Sequence, residues 1–329
     1  MSALVDGFGR VHTDLRVSLT DKCNLRCTYC MPAEGLDWMP AAEMLSDDEL
    51  VRVIGVAVRD LGITEVRLTG GEPLLRRGLV DLVRRLADLR PRPKLSMTTN
   101  GIGLAKVVEA LAVAGLDRVN VSLDTLDRET FVTLSRRDRL DDVLAGLDGA
   151  RDFGLVPVKV NTVLMRGVND HEALDLLHYC LERQLSLRFI EQMPLDAQHG
   201  WDRTIMVTAD EIQSMLASKH ELTPVPDRGS SPAEEFLVDG GPATVGIIAS
   251  VSRPFCGSCD RVRLTADGQI RNCLFAREES DLRAALRSGA GDEEIARRIR
   301  VSIAGKKAGH GIDDPTFLQP DRPMSAIGG

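Results

Sequence analysis

The sequence is defined first by what it does not contain. No stretch of about 18 uninterrupted apolar residues occurs, so no membrane-crossing helix is expected. The N-terminal residues lack the apolar h-region of a secretory leader. Basic charge is not in excess: 41 Lys and Arg stand against 49 Asp and Glu, a net charge of −8. Nucleic acid and anionic membranes are therefore poor partners. The 7 cysteines in 329 residues do not make an even disulfide framework. No internal repeat is visible. These absences point to a reducing, cytoplasmic setting in which thiols act as ligands, catalysts or core residues. Apolar residues at 43% and charged residues at 27% are ordinary for a folded chain. The length suits one large domain or two ordinary ones.

What is present is a regular alternation. Short β-rich runs at residues 15–20, 65–70, 94–100, 118–124, 156–165 and 187–193 are separated by helical patterns. Ser46-Asp47-Asp48-Glu49 reads as a capping box opening a helix to about Asp60, with Gly62 beyond its end. Apolar residues recur at helical spacing over 78–89, 104–114, 140–153 and 170–183. Thr208-Ala209-Asp210-Glu211 opens another helix, to about Lys219. Six strand–helix repeats imply parallel strands with right-handed crossovers. Cys23, Gly71, Asn100 and Asp124 stand just after strand ends, where such folds carry their sites. One site assembled from so many strand ends favours a barrel over an open doubly wound sheet.

The expected fold is therefore α/β: a partial (β/α)6 TIM-like barrel over 1–222 and a C-terminal region over 223–329. Residues 223–232 are rich in Pro, Ser, Gly and Asp and read as a linker. A strand-like run follows at 243–251, with its place in the wall left open. A hairpin at 261–265 and 269–273, turned by Ala266-Asp267-Gly268, precedes helices at 281–288 and 292–306. The tail after Gly309 is expected to be irregular.

Cys23, Cys27 and Cys30 form the sharpest motif: three thiols within eight residues, directly after a strand. Thiolates suit Fe–S clusters or zinc. A structural zinc site wants four ligands, whereas three cysteines can hold a [4Fe–4S] cube and leave one iron open. Cys256-Gly257-Ser258-Cys259 and Cys273 make a second triple, brought together by the hairpin. No nearby histidine supplies a fourth ligand, since His220 precedes the linker and His310 lies far along the tail. Zinc completed by a distant ligand is the competing reading. The seventh thiol, Cys180, falls among Leu176, Leu177 and Leu181 at helical spacing and reads as a small buried apolar residue. Gly101-Ile102-Gly103 lacks the third glycine of a dinucleotide fingerprint.

The C-x3-C-x2-C triple with Tyr29 before its last cysteine, and Gly70-Gly71-Glu72-Pro73 after the second strand, resemble the radical S-adenosylmethionine superfamily. That resemblance implies a [4Fe–4S] cluster whose open iron chelates S-adenosylmethionine and whose electron cleaves it to a 5′-deoxyadenosyl radical. Further segments in order resemble the GTP 3′,8-cyclase (MoaA) family over nearly the whole chain. They are Phe8-Gly9-Arg10, residues 14–21, Thr98-Thr99-Asn100-Gly101, Val121-Ser122-Leu123-Asp124, Lys159-Val160-Asn161, residues 255–265 and the terminal Gly328-Gly329. The implied activity is conversion of GTP to 3′,8-cyclo-7,8-dihydro-GTP by abstraction of the 3′ hydrogen, the first step of molybdenum cofactor biosynthesis.

The same resemblance implies a role for each matching residue. Cys23, Cys27 and Cys30 would hold one [4Fe–4S] cluster; Cys256, Cys259 and Cys273 would hold a second, its open iron facing guanine. Tyr29, Gly71, Ser122 and Met193 match S-adenosylmethionine contacts. Arg16, Arg67, Thr98, Lys159, Arg261, Val262 and Arg263 match GTP contacts. Gly328 and Gly329 match a tail that enters the active site and is needed for activity. A homodimer, an electron donor and transfer of product to the next pathway enzyme are also implied. The residues themselves support the substrate class. Arg16, Arg67 and Lys159 lie on three different predicted strands, Arg261 and Arg263 share a strand face, and guanidinium matches phosphate geometry. Taken singly, each Arg could be a solvated surface charge and Met193 a core residue. Two other readings compete: another two-cluster radical enzyme, such as a peptide maturase, and a zinc-binding regulatory module.

Overall fold

The computed structural model describes residues 3–328. Twelve strands form one sheet: β1 (Asp14–Ser18), β2 (Glu65–Thr69), β3 (Lys94–Thr99), β4 (Arg118–Ser122), β5 (Lys159–Val163), β6 (Ser186–Ile190), β7 (Leu222–Pro224), β8 (Glu234–Val238), β9 (Thr244–Ile248), β10 (Arg261–Leu264), β11 (Gln269–Arg271) and β12 (Ser280–Asp281). Their order is β12-β11-β10-β1-β2-β3-β4-β5-β6-β9-β8-β7. The run from β10 through β9 is parallel throughout. Antiparallel β11–β12 and β8–β7 finish the two ends, which do not pair with each other. This is an incomplete barrel, with the six expected βα strands at its centre.

The C-terminal strands extend that wall at both edges. β9 pairs in parallel with β6, which places the 243–251 run in the wall. The hairpin forms as β10 and β11, and β10 also pairs in parallel with β1. The expected linker contains the end of β7, Thr223 and Pro224. Its composition hid a strand because β7 is an edge, where Pro224 can sit without breaking a ladder on its free side. Helix Arg128–Ser135, short and containing β-branched Thr130, Val132 and Thr133, was also not legible; Asp127 caps it by accepting from the Thr130 N–H. The tail holds one further turn of helix, Met324–Ile327.

Strand alternation divides each strand between two environments. Val17, Leu68, Met97, Val121, Phe189, Ile247 and Leu264 point outward into the apolar layer beneath the helices, and all are fully buried. The capping box at Ser46 forms as expected, and helix Asp47–Leu61 adds its apolar side to that layer. The opposite phase carries Arg16, Arg67, Ser96, Thr98, Asn120, Ser122, Asn161, Arg188, Arg261 and Arg263. A barrel interior is ordinarily filled by Val, Ile and Leu. Here it is polar and cationic, so it remains a cavity.

Glu191, just past β6, ties the parallel edge together. Its buried carboxylate accepts from the backbone N–H groups of Ala209 at 2.8 Å, Val251 at 2.7 Å and Ser252 at 2.8 Å, and from the Ser252 hydroxyl. Glu191→Ala leaves these donors unmatched, and should lower unfolding free energy by about 3 kcal/mol or more. The denaturant midpoint of Glu191→Ala measured against Glu191→Gln checks this, since Gln retains part of the acceptor capacity.

Candidate functional site

The first cysteine loop is held from two sides. Gly71 N–H donates to Thr20 O and Glu72 N–H to Lys22 O, both at 2.7 Å. A Cβ on Gly71 would lie 2.3 Å from Lys22 O, and one on Gly70 would lie 2.4 Å from Thr20 O. Both glycines are therefore required for the loop to approach β2 at all. Glu72 is fully buried. It accepts from the Thr99 hydroxyl at 2.7 Å and from the Asn100 N–H at 2.7 Å, while burial pushes its carboxyl up to about 7. From the other side, helix Arg128–Ser135 offers Leu134 O to the Thr28 N–H and Ser135 O to the Arg26 N–H. Arg136, at its left-handed C-cap, donates to the carbonyls of Arg26 and Met31.

Within this loop Cys23, Cys27 and Cys30 face one another. Burial raises all three thiols, Cys30 to about 12, and proximity to the other thiols raises Cys27 and Cys30 further. Tyr29 donates from its hydroxyl to Asp124 Oδ2 at 2.6 Å, and Asp124 Oδ1 accepts from the Val163 N–H. Burial lifts the Asp124 carboxyl to about 6. The second triple is also convergent: burial raises Cys256, and Cys273 and Cys259 add to that rise. Among the described residues no three His, Cys, Asp or Glu side chains are grouped as a single-ion site. Two sets of three soft donors have the donor chemistry of a cluster with one open iron.

One cavity of about 270 Å³ joins the inward face of the barrel to the second triple. Arg16, Arg67, Thr98, Ser122, Arg188, Arg261 and Arg263 line it from the strands, together with Tyr29, Met193 and the thiols Cys256, Cys259 and Cys273. A smaller pocket beside it is lined by Tyr29, Cys30, Met193 and Met324. The cations are short of partners. Asp14 Oδ2 lies 3.6 Å from Arg16 Nε and 3.9 Å from Arg67, within ion-pair range but beyond a hydrogen bond. Arg16 Nε, Arg67 Nε and one Arg261 Nη are buried without a hydrogen-bond partner. Burial, followed by repulsion from the neighbouring guanidiniums, brings Arg16 and Arg263 down to about 9. Lys159 falls to about 7 through burial and the nearby Arg188 and Arg118.

Not every expected residue reaches this cavity. Val262 turns into the outer apolar layer, as alternation requires, so only its backbone lies between the two arginines. Lys159 lies two residues before the cavity-lining Asn161 and close enough for Arg67 and Arg188 to act on it, but it does not line the wall. Gly71 is in the loop contact just described. Gly328 packs against the ends of β1 and β2, where a Cβ would meet Thr69 Cγ2 at 2.8 Å, and its carbonyl accepts from Arg263. Cys30 accepts from the Ser325 N–H, so the tail also reaches the first triple. Gly329 lies outside the described residues. Cys180 is 1% exposed within the main core, as expected.

His310 comes close to the second triple in space without becoming a ligand candidate. It is distant along the chain, yet its backbone N–H donates to the Cys256 thiol. Its ring is fully engaged: Nε2–H donates to Ser250 O at 3.0 Å and Nδ1 accepts from the Ile312 N–H at 3.1 Å. It offers no free nitrogen as a fourth ligand. Arg188 was missed, although a charge between Leu187 and Phe189 on the inward phase of β6 was a signal. Asn120 and Asn161 follow the same alternation.

Residues 17–180 match the family model of the radical SAM superfamily, and residues 185–312 match the model Molybdenum Cofactor Synthesis C. The chain is 67% identical to GTP 3′,8-cyclase of Streptomyces coelicolor, over 99% of this chain and 96% of that one. It is 61% identical to a GTP 3′,8-cyclase of a Mycobacterium species, over 99% and 93%. Among solved structures, Streptococcus suis SuiB bound to S-adenosylmethionine superposes with a TM-score of 0.61 at 14% identity, covering 95% of this chain and 77% of that one. That likeness shows the fold.

The unbalanced cations should favour a polyanion and cost stability without one. Arg16→Met is expected to stabilise the ligand-free protein by about 1 kcal/mol. It should also shrink the rise in Tm that inorganic tripolyphosphate causes in the parent. Thermal unfolding with and without tripolyphosphate measures both effects.

Proposed function

The chain belongs to the GTP 3′,8-cyclase family, and from that premise we propose how its residues share the conversion of GTP to 3′,8-cyclo-7,8-dihydro-GTP. This conversion is the first step of molybdenum cofactor biosynthesis. The observation that carries the assignment of roles is that a buried excess of positive charge and a thiol triple line one cavity. A triphosphate supplies the missing negative charge at one end. A purine can occupy the apolar and thiol-lined side at the other.

Cys23, Cys27 and Cys30 hold the [4Fe–4S] cluster of the superfamily, and Tyr29, Gly71, Ser122 and Met193 hold S-adenosylmethionine beside it. When bound, this pair supplies the radical that takes the 3′ hydrogen of GTP. Arg16, Arg67, Arg261 and Arg263 bind and orient the triphosphate, with Thr98 as a neutral donor and Lys159 adding positive charge from behind the cavity wall. Arg188 joins them, on the same phase of its strand. The backbone of Val262 spaces the Arg261 and Arg263 side chains. Cys256, Cys259 and Cys273 hold a second [4Fe–4S] cluster, whose open coordination position would accept the base. Gly328 packs against the ends of β1 and β2 and helps exclude water, and the role of the tail is assigned to Gly328 and Gly329 together. The division at 222/223 is then one of task rather than of sheet: the barrel region holds the radical-generating pair, the C-terminal region holds the base, and both supply cations to the triphosphate.

Among the described residues no helix is long and apolar enough to cross a membrane. A cytoplasmic site, an external electron donor, a homodimer and transfer of product to the next pathway enzyme belong to this reading.

Anaerobic reconstitution, reduction and addition of S-adenosylmethionine with GTP should give 5′-deoxyadenosine together with a cyclised nucleotide. Colourless protein holding only zinc would sink the reading. Removing Gly328–Gly329 should abolish cyclisation while leaving both iron–sulfur chromophores; continued product formation by the truncated chain would reject the role of the tail.

Cys273→Ala should lose about half of the iron bound by the parent and keep S-adenosylmethionine binding, since the first triple is untouched. Iron analysis and equilibrium binding test this, and unchanged iron content would eliminate the second cluster.

A further inference from the structure

Lys306 follows helix Asp292–Ala304 and is 4% exposed. A buried ammonium ordinarily needs a carboxylate. Among the described residues this one has none: Nζ donates to Arg261 O at 2.8 Å and lies 3.3 Å from Cys259 Sγ. Arg261 Nε donates to the same sulfur at 3.3 Å. Cys259 thus accepts two charge-assisted hydrogen bonds. Cys256, by contrast, takes its hydrogen bond from a neutral backbone N–H, that of His310.

The position of Lys306 is enforced from behind. Arg10 donates to Lys307 O at 2.7 Å, to Ala308 O at 3.1 Å and to Cys256 O at 2.7 Å. Its own guanidinium is fixed by Asp6 at 2.5 Å, and the same carboxylate oxygen meets His12 Nε2 at 3.1 Å. The Phe8-Gly9-Arg10 segment therefore links the loop of the second triple to the chain that carries Lys306.

We propose that Lys306 is a positioning residue for the second cluster: its ammonium fixes the Cys259 thiolate and raises the electron affinity of the cluster bound there. The inference rests on the two-cluster reading above. Three thiolates around an oxidised cube leave a net negative charge, and reduction adds another. A buried cation against one of the sulfurs stabilises the more negative, reduced state. It also draws electron density from the iron, which makes the open position a better acceptor for a ring heteroatom of the base.

Lys306→Met keeps chain length and removes charge, whereas Lys306→Arg keeps the charge. Redox titration of the full reconstituted chain, followed by electron paramagnetic resonance, reads both clusters. Cys273→Ala identifies which signal belongs to the second. In Lys306→Met the second midpoint should move to more negative potential while the first stays fixed; in Lys306→Arg it should stay near the parent. If Lys306→Met loses the second cluster while Lys306→Arg keeps it, the charge is again responsible. An unchanged midpoint in Lys306→Met with full iron content overturns the proposal. So does equal loss of the second cluster in both variants, which would assign Lys306 to packing. If the parent itself binds iron for one cluster only, the two-cluster reading fails before Lys306 is tested.

Discussion

Positive charge buried without balancing negative charge governs this molecule. Arg16, Arg67, Arg261 and Arg263 converge inside a wall whose nearby carboxylate, Asp14, reaches two of them only at 3.6 and 3.9 Å. Burying a charge without a partner is costly. The fold tolerates it because the opposite phase of the central parallel strands is a largely apolar layer, whose burial stabilises the barrel at roughly 25 cal/mol per Å². The sheet is thus stable from its outer face and strained electrostatically on its inner one. That asymmetry keeps the interior open and selects for an anionic occupant.

The rest of the site is arranged around that interior. The first thiol triple sits at the carboxyl ends of the strands because Gly70 and Gly71 let the loop after β1 press against β2. Helix Arg128–Ser135 fixes the other side of the same loop. The second triple arrives by a different route: β10 joins β1 in parallel and carries Arg261 and Arg263 inward, and the cysteines flank it. The tail closes the arrangement, with Ser325 at Cys30 and Gly328 at Arg263. A single chain segment thereby touches both halves of the cavity.

The legible elements were those with strong local signals. The two capping boxes, at Ser46 and Thr208, form as read, because their hydrogen bonds are completed within four residues. The six βα strands were visible from their apolar phase. The thiol spacing and the Gly-Gly pair were legible because their chemistry is local as well. What escaped was non-local. β7 looked like a linker because edge strands tolerate Pro. Helix Arg128–Ser135 is short, and the loop it holds lies about 100 residues earlier. His310 looked remote from Cys256 until the tail folded back. Arg188 was a charge in an apolar strand, and only the phase of its neighbours identifies the face it takes.

The sequence by itself determined the alternating α/β pattern, the two cysteine triples, the glycines that permit close approach and the family to which the chain belongs. It could do so because each rests on residue identity and short-range spacing. Tertiary structure alone decided that the C-terminal strands extend both edges of the barrel, and that the arginines of three strands meet with too few carboxylates. It also decided that Lys306 and Arg10 stand behind the second triple. Those relations depend on strand register and on burial, through which charges tens to hundreds of residues apart come to share one poorly solvated cavity.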